Sequence, residues 1–162
     1  MRLYIMRHAW AEEPSDFRYP DDSQRPLTDD GRRRFRRVAA KFVERGVRPT
    51  QIASSPYLRT MQSAEILAKE LDGKVNVVEQ PALAPGAHLE SLLAWSAQFE
   101  DAEIAWVGHM PDVGGLTSQL IGAATNRIGF SKGAIAAIDF DGKPEIGRGI
   151  LCWLITAKML GC

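Results

Sequence analysis

Short unbroken apolar runs alternate along this chain with longer stretches whose apolar residues recur every three or four positions. Leu3-Tyr4-Ile5-Met6, Ile52-Ala53 and Ile104-Ala105-Trp106-Val107 are the runs, and Val75-Asn76-Val77-Val78 reads as a further strand. Continuous hydrophobicity over so few residues predicts strands covered on both faces of a sheet. Between them, Phe35, Val38, Ala39, Phe42 and Val43 fall on one helical face. Leu58, Met61, Ala64, Leu67, Ala68 and Leu71 do the same. Leu89, Leu92, Leu93 and Phe99 predict a third helix from about His88 to Phe99, and Leu116, Leu120 and Ile121 a fourth running toward Gly122. Thr28 is the expected N-cap of the first helix, with Asp29 and Asp30 at the positive end of its dipole and Gly46 as its stop. Ser55 is the expected cap of the second, with Pro56 at its first position and Gly73 at its end; Pro111 opens the fourth. Ala134 to Phe140 and Gly149 to Ala157 read as two further strands joined through Asp141-Gly142, with Lys143 to Arg148 too long for a two-residue turn. Trp95, Trp106 and Trp153 are expected to pack in or beside the core. The alternation predicts an α/β fold with three α/β/α layers: a mostly parallel central sheet and at least one antiparallel strand from the C-terminal hairpin.

No repeat, low-complexity segment or linker divides residues 1–162, so a single domain is expected. At 162 residues with 45% hydrophobic and 25% charged residues, the chain can bury a real core. Its 20 basic and 20 acidic residues cancel, which argues against nucleic acid or an anionic membrane as partner. A charged ligand must then be met in a local pocket. The arginines at 32, 33, 34, 36 and 37 fall mainly opposite the apolar stripe of the first helix, as a solvated face does. Cys152 and Cys162 are too few for a disulfide scaffold and fit reduced thiols. Met1-Arg2-Leu3 lacks the apolar core of a signal peptide, and no stretch is long enough to span a bilayer. A soluble, cytoplasmic protein is expected.

Chemistry concentrates where strands hand over to helices: at Arg7-His8-Ala9, at Ser54-Ser55-Pro56-Tyr57-Leu58-Arg59 and at Gly108-His109-Met110-Pro111. Open α/β sheets hold ligands at the carboxyl ends of their strands. Three such turns would gather two imidazoles and two guanidiniums at one sheet edge. Arg59, in a first helical turn, can join the free N–H groups there on one anion. Such a cationic pocket suits an oxyanion with several charged oxygens. Phosphoryl transfer asks for little beyond an in-line nucleophile and donors aimed at the equatorial oxygens. Histidine can be that nucleophile, and neighbouring positive charge keeps it neutral near pH 7. The loop from Trp10 to Pro26 brings Arg18 and Arg25, either of which can fold back over the first triplet. The three histidines lack the carboxylate and cysteine spacing of a metal site, so neither metal nor cofactor is expected.

Arg7-His8-Ala9, Arg25-Pro26-Leu27-Thr28, Ser55-Pro56-Tyr57-Leu58-Arg59 and Gly108-His109-Met110-Pro111 together resemble the motifs of the histidine phosphatase superfamily (phosphoglycerate mutase-like). The short length, and Ala9 after the first histidine where the family commonly has Gly, resemble its SixA-type phosphohistidine phosphatase branch. The likeness runs from the first strand to the fourth helix and softens in the last hairpin. It implies that His8 is the nucleophile that becomes phosphorylated, that Arg7 and Arg59 bind the phosphoryl oxygens, and that His109 stabilises the transferring group. Arg25 would be a further phosphate-contacting arginine. After Arg59, Thr60, Gln62, Ser63 and Ala64 keep the family's spacing with conservative changes.

The resemblance also marks an absence. Mutase and sugar-phosphatase branches carry an acidic proton donor after the third strand, whereas Gln80-Pro81-Ala82-Leu83-Ala84-Pro85-Gly86-Ala87 has no carboxylate. An alkoxide leaving group needs such an acid, typically worth about 10²–10⁴-fold, while an imidazole leaving from phosphorus does not. The expected substrate is therefore a phosphohistidine-bearing protein, such as a phosphotransfer domain. A small phosphate ester or anhydride, with Glu79 or Glu90 as acid, is the alternative enzyme. A catalytically silent phosphate-binding module is the alternative outside catalysis, and RNA binding through Arg32 to Arg37 a poorer one.

Overall fold

In the computed structural model, which describes residues 1–99, 102–125 and 128–162, six strands form one sheet in the order β3-β2-β4-β1-β5-β6. These are β1 (Arg2–Arg7), β2 (Gln51–Ser54), β3 (Asn76–Glu79), β4 (Glu103–Gly108), β5 (Ile135–Asp139) and β6 (Ile150–Ile155). β1, β2, β3 and β4 are mutually parallel, and β5 runs antiparallel to β1 and to β6. Period-two alternation divides β1: Tyr4 and Met6 enter one core, Leu3 and Ile5 the other. The first core is roofed by α1 (Asp29–Glu44) and α2 (Leu58–Glu70). The second is roofed by α3 (Leu89–Ser96) and α4 (Asp112–Leu120). The α/β/α layering and the antiparallel C-terminal strands are as the pattern predicts. Trp106 is fully buried, and Trp95 and Trp153 pack against the cores.

The punctuation of α1 is also as expected. Thr28 accepts from the Gly31 amide at 2.8 Å. At the other end Gly46 has φ +87°, while the amides of Gly46 and Val47 bond Val43 and Phe42, a Schellman closure. Elsewhere the caps differ. The α2 cap is Tyr57 without a side-chain bond, so Ser55 and Pro56 lie ahead of the helix. Pro111 caps α4, which begins at Asp112. In both places a short turn separates the strand end from the helix. α2 ends at Glu70, with Asp72 rather than Gly73 as the first left-handed residue. α3 stops at Ser96, and His88 is its N-cap, accepting from the Ser91 amide.

The buried face of α2 is more polar than periodicity predicts. Thr60 and Ser63 are fully buried, whereas Leu58 and Met61 are only partly covered. The helix start packs on backbone, where small hydroxyls are satisfied: Thr60 donates to the Ser55 carbonyl at 2.9 Å and Ser63 to that of Arg59 at 2.7 Å.

Among the described residues no helix is long and apolar enough to cross a membrane. The closest backbone approach near the site is at Gly31, where a Cβ would lie 2.2 Å from the Trp10 carbonyl oxygen and 2.8 Å from Thr28 Oγ1. Gly31→Ala should therefore destabilise the fold by about 1–3 kcal/mol despite alanine's better helix propensity. Denaturant unfolding measures this; an equal or raised midpoint would contradict the contact.

Candidate active site

The ladder hydrogen bonds do not stop where the strands end. His8 N donates to the Gly108 carbonyl, and Ser55 N to the Val107 carbonyl, each at 3.0 Å. Two turns are thereby pinned to the carboxyl end of β4, whose next residue is His109. The outcome is convergence: the rings of His8 and His109 lie 5.4 Å apart between centroids. They share a cavity of about 490 Å³ with Arg7, Arg25 and Arg59. All five predicted site residues line it. Arg18 does not: it is exposed and pairs with Glu12 at 3.2 Å.

Each ring is held. His8 Nδ1 lies 2.7 Å from the Ala9 carbonyl oxygen; a carbonyl only accepts, so Nδ1 carries the hydrogen and Nε2 keeps its lone pair. The Ala9 amide donates to Ser63 Oγ at 3.0 Å, tying this turn to α2. His109 Nε2 lies 2.9 Å from Ser55 Oγ, and the Tyr57 ring packs edge-on against His109 at 5.0 Å. Only 7% of His8 and 4% of His109 is exposed. Burial, with the positive charges beside them as a smaller cause, lowers the His8 pKa to about 3 and that of His109 to about 4. Both rings are neutral at pH 7.

The guanidiniums are buried more expensively. Arg59 is 4% exposed, and burial pushes the pKa of Arg7 and Arg59 down. Arg7 donates to the Phe130 carbonyl at 2.8 Å. Arg59 donates to the carbonyl of Asp22 at 2.8 Å and to its carboxylate at 2.9 Å. The same carboxylate receives Arg25 Nε at 2.7 Å, and Arg25 also donates to the Glu12 carbonyl at 2.7 Å. Arg7 Nε and Arg59 Nε have no partner among the described residues. Buried cationic donors left over in this way are what an oxyanion satisfies.

Three carboxylates in the wall are not legible from the motifs: Glu12, Glu13 and Asp112, joined by Lys132. Asp112 is anchored by the Gly86 amide at 3.1 Å. Glu79 and Glu90, the acids expected from the sequence for the ester alternative, do not line the cavity. Glu79 ends the outer strand β3 and Glu90 is an exposed residue of α3. Asp22 was also missed, since only the fold brings it to Arg59. Among the described residues no group of three His, Cys, Asp or Glu side chains is placed to hold a metal ion.

The sequence model of the histidine phosphatase superfamily (branch 1) matches residues 3–115. An uncharacterized protein of Picosynechococcus sp. (strain ATCC 27264 / PCC 7002 / PR-6) is 41% identical over 117 residues, 70% of this chain and 69% of that one. Phosphohistidine phosphatase SixA of Escherichia coli (strain K12) is 28% identical over 159 residues, covering 96% and 94%. Among solved structures, the protein histidine phosphatase SixA complexed with tungstate superposes with a TM-score of 0.78 at 28% identity, covering 99% of both chains.

The depressed histidine pKa values have a consequence for stability. A base whose folded pKa lies below its unfolded value adds stability that is complete above the unfolded value and is lost as pH falls toward the folded one. Here the window runs from about 6.5 down to about 3 to 4. Ring NMR shifts of His8 and His109 should stay at neutral-form values at pH 5, and unfolding free energy should fall across the window less steeply in His8→Asn. Protonation of either ring above pH 6 would contradict the burial described.

Proposed function

The chain belongs to the histidine phosphatase superfamily, and on that premise we propose that this phosphatase removes phosphate from phosphohistidine in a protein, through a phosphoryl group carried on His8. The observation that carries the reading is the pairing of a neutral, oriented His8 with His109 across a pocket in which Arg7 Nε and Arg59 Nε are buried with no partner among the described residues. The similarity to SixA over nearly the whole chain supports the substrate class. So does the Gln80–Ala87 segment, which lends Pro85 and Gly86 to the wall but no carboxylate. We also read residues 1–162 as one domain, supported by a single sheet with strands from both ends of the chain, and the protein as cytoplasmic.

In the first step His8 Nε2 attacks phosphorus. The bond from phosphorus to the substrate ring nitrogen breaks, and its electron pair returns to that ring. In its ring-protonated form the phosphorylated imidazole carries a proton on its other nitrogen, and from that form it leaves as a neutral ring without help from an enzyme acid. Arg7, Arg25, Arg59 and His109 hold the three equatorial oxygens as charge develops on them. Water then attacks phospho-His8. The phosphorus–nitrogen pair returns to Nε2, the water's protons stay on the released phosphate, and His8 is neutral again.

Asp112 in the wall supports a second reading, a phosphatase of small phosphate esters with Asp112 as proton donor. The two are separated by leaving group. Phosphohistidine and phosphoramidate should be turned over faster than phosphate monoesters, and Asp112→Asn should leave the phosphorus–nitrogen substrates nearly unaffected. A loss of about 10²–10⁴-fold on esters, with esters the better substrates, would favour the second reading. For the intermediate, rapid quenching should trap acid-labile, base-stable phosphate on the enzyme. His8→Ala should lose that label and about 10³-fold or more of turnover. Label surviving in His8→Ala would overturn the assignment.

A further inference from the structure

Phe17 is the most exposed large apolar side chain described in the molecule, with 95% of its surface open to solvent. It stands on the loop that supplies one wall of the active site: Glu12, Glu13 and Pro14 line the cavity and Phe17 follows three residues later. The loop is built rather than slack. A bridge between Ala11 and Leu27 closes its base, and the Glu12 amide bonds the Pro26 carbonyl at 2.9 Å. At the tip, Tyr19 N bonds the Ser15 carbonyl at 2.7 Å. Arg18 is held by Glu12 at 3.2 Å, by the Tyr19 hydroxyl at 3.2 Å and by its own amide on Ser15 Oγ. This turn presents the phenyl ring outward, at a hydrophobic cost that contact with a partner would recover.

The charge of the same loop says what kind of partner. From residue 12 to 22 it carries Glu12, Glu13, Asp16, Asp21 and Asp22 against the single Arg18. An acidic collar thus borders one side of a cationic floor. A small polyanion gains at the floor but is repelled at the collar, whereas one phosphoryl group set in a basic, partly apolar protein surface complements both. We infer that loop 12–22 is the docking surface for the protein substrate, with Phe17 packing on an apolar side chain beside the phosphohistidine and the collar facing Lys or Arg. This rests on the phosphohistidine reading above and adds to it the surface that surrounds the scissile group.

Three short peptides of equal length, phosphorylated on one histidine with phosphoramidate, test it. One flanks the histidine with Lys and Leu, one with Glu and Leu, one with Lys and Ser; free phosphohistidine is the reference substrate. For the wild-type protein, kcat/KM should be highest for the Lys/Leu peptide. The advantage over Glu/Leu should fade as salt is raised. Phe17→Ser, at a fully exposed position, should lower kcat/KM for the Lys/Leu peptide by about tenfold, through KM. It should leave Lys/Ser and free phosphohistidine within about twofold. Asp16→Lys should narrow the gap between the Lys/Leu and Glu/Leu peptides. Equal kcat/KM for all three peptides, or a Phe17→Ser loss shared equally with free phosphohistidine, would overturn the docking surface alone. Wild-type protein that hydrolyses phosphate esters but no phosphohistidine substrate would overturn the function on which it rests.

Discussion

The site depends on the parallel ladder around β4. β1 and β4 pair in a register that sets Arg7 against Gly108, and β2 and β4 in one that sets Ser54 against Val107. Because all three strands run in the same direction, their carboxyl ends lie within one residue of each other. His8 and His109 then emerge at the same height, with Ser55 one residue short of them. The bonds from His8 N and Ser55 N to β4 carbonyls carry the ladder one residue into the turns, so the imidazoles are located by main chain. A one-residue slip of either pairing would send a site residue to the opposite face of the sheet. Tyr4, Met6, Leu3 and Ile5, all fully buried in two separate cores, oppose that slip through hydrophobic packing on both sides.

Against this rigid frame the side chains hold charge in an expensive arrangement. Two guanidiniums are buried with one donor each unpartnered among the described residues, and two imidazoles are held neutral by burial. Few groups offset that charge directly: one Asp22 carboxylate shared by Arg25 and Arg59, and the backbone carbonyls of Phe130, Asp22 and Glu12. Such preorganisation works against stability in the free protein and in favour of an oxyanion, since donors already in place need no reorganisation when charge develops. Asp22 does two things at once. It lowers the cost of burying Arg59, and it fastens the start of the Arg25 segment over the pocket.

Much of this is legible in the residues. Unbroken apolar runs mark β1 and β4 because both faces of those strands are covered, and Thr28 and Gly46 mark α1 because capping chemistry is local. The histidines and arginines stand out because the turns that carry them repeat one arrangement, strand end to helix start. Ser55, Pro56 and Pro111 mislead as helix starts, because the chain there serves the pocket before it serves the helix. Thr60 and Ser63 fall outside the apolar stripe of α2 yet are buried against site backbone, which period alone does not reveal. The wall acids are the least legible. Glu12, Glu13 and Asp112 meet only through the fold, and Glu79 and Glu90, nearer in sequence to the expected position, lie outside the cavity.

The convergence of two imidazoles and three guanidiniums on one tetrahedral or trigonal anion is the central claim, and a crystal structure with orthovanadate tests it most directly. The account predicts vanadium bonded to His8 Nε2, with equatorial oxygens accepting from the Nε groups of Arg7 and Arg59 and from His109. Vanadate bound elsewhere, or lying in the pocket with His8 Nε2 turned away from it, would contradict the account.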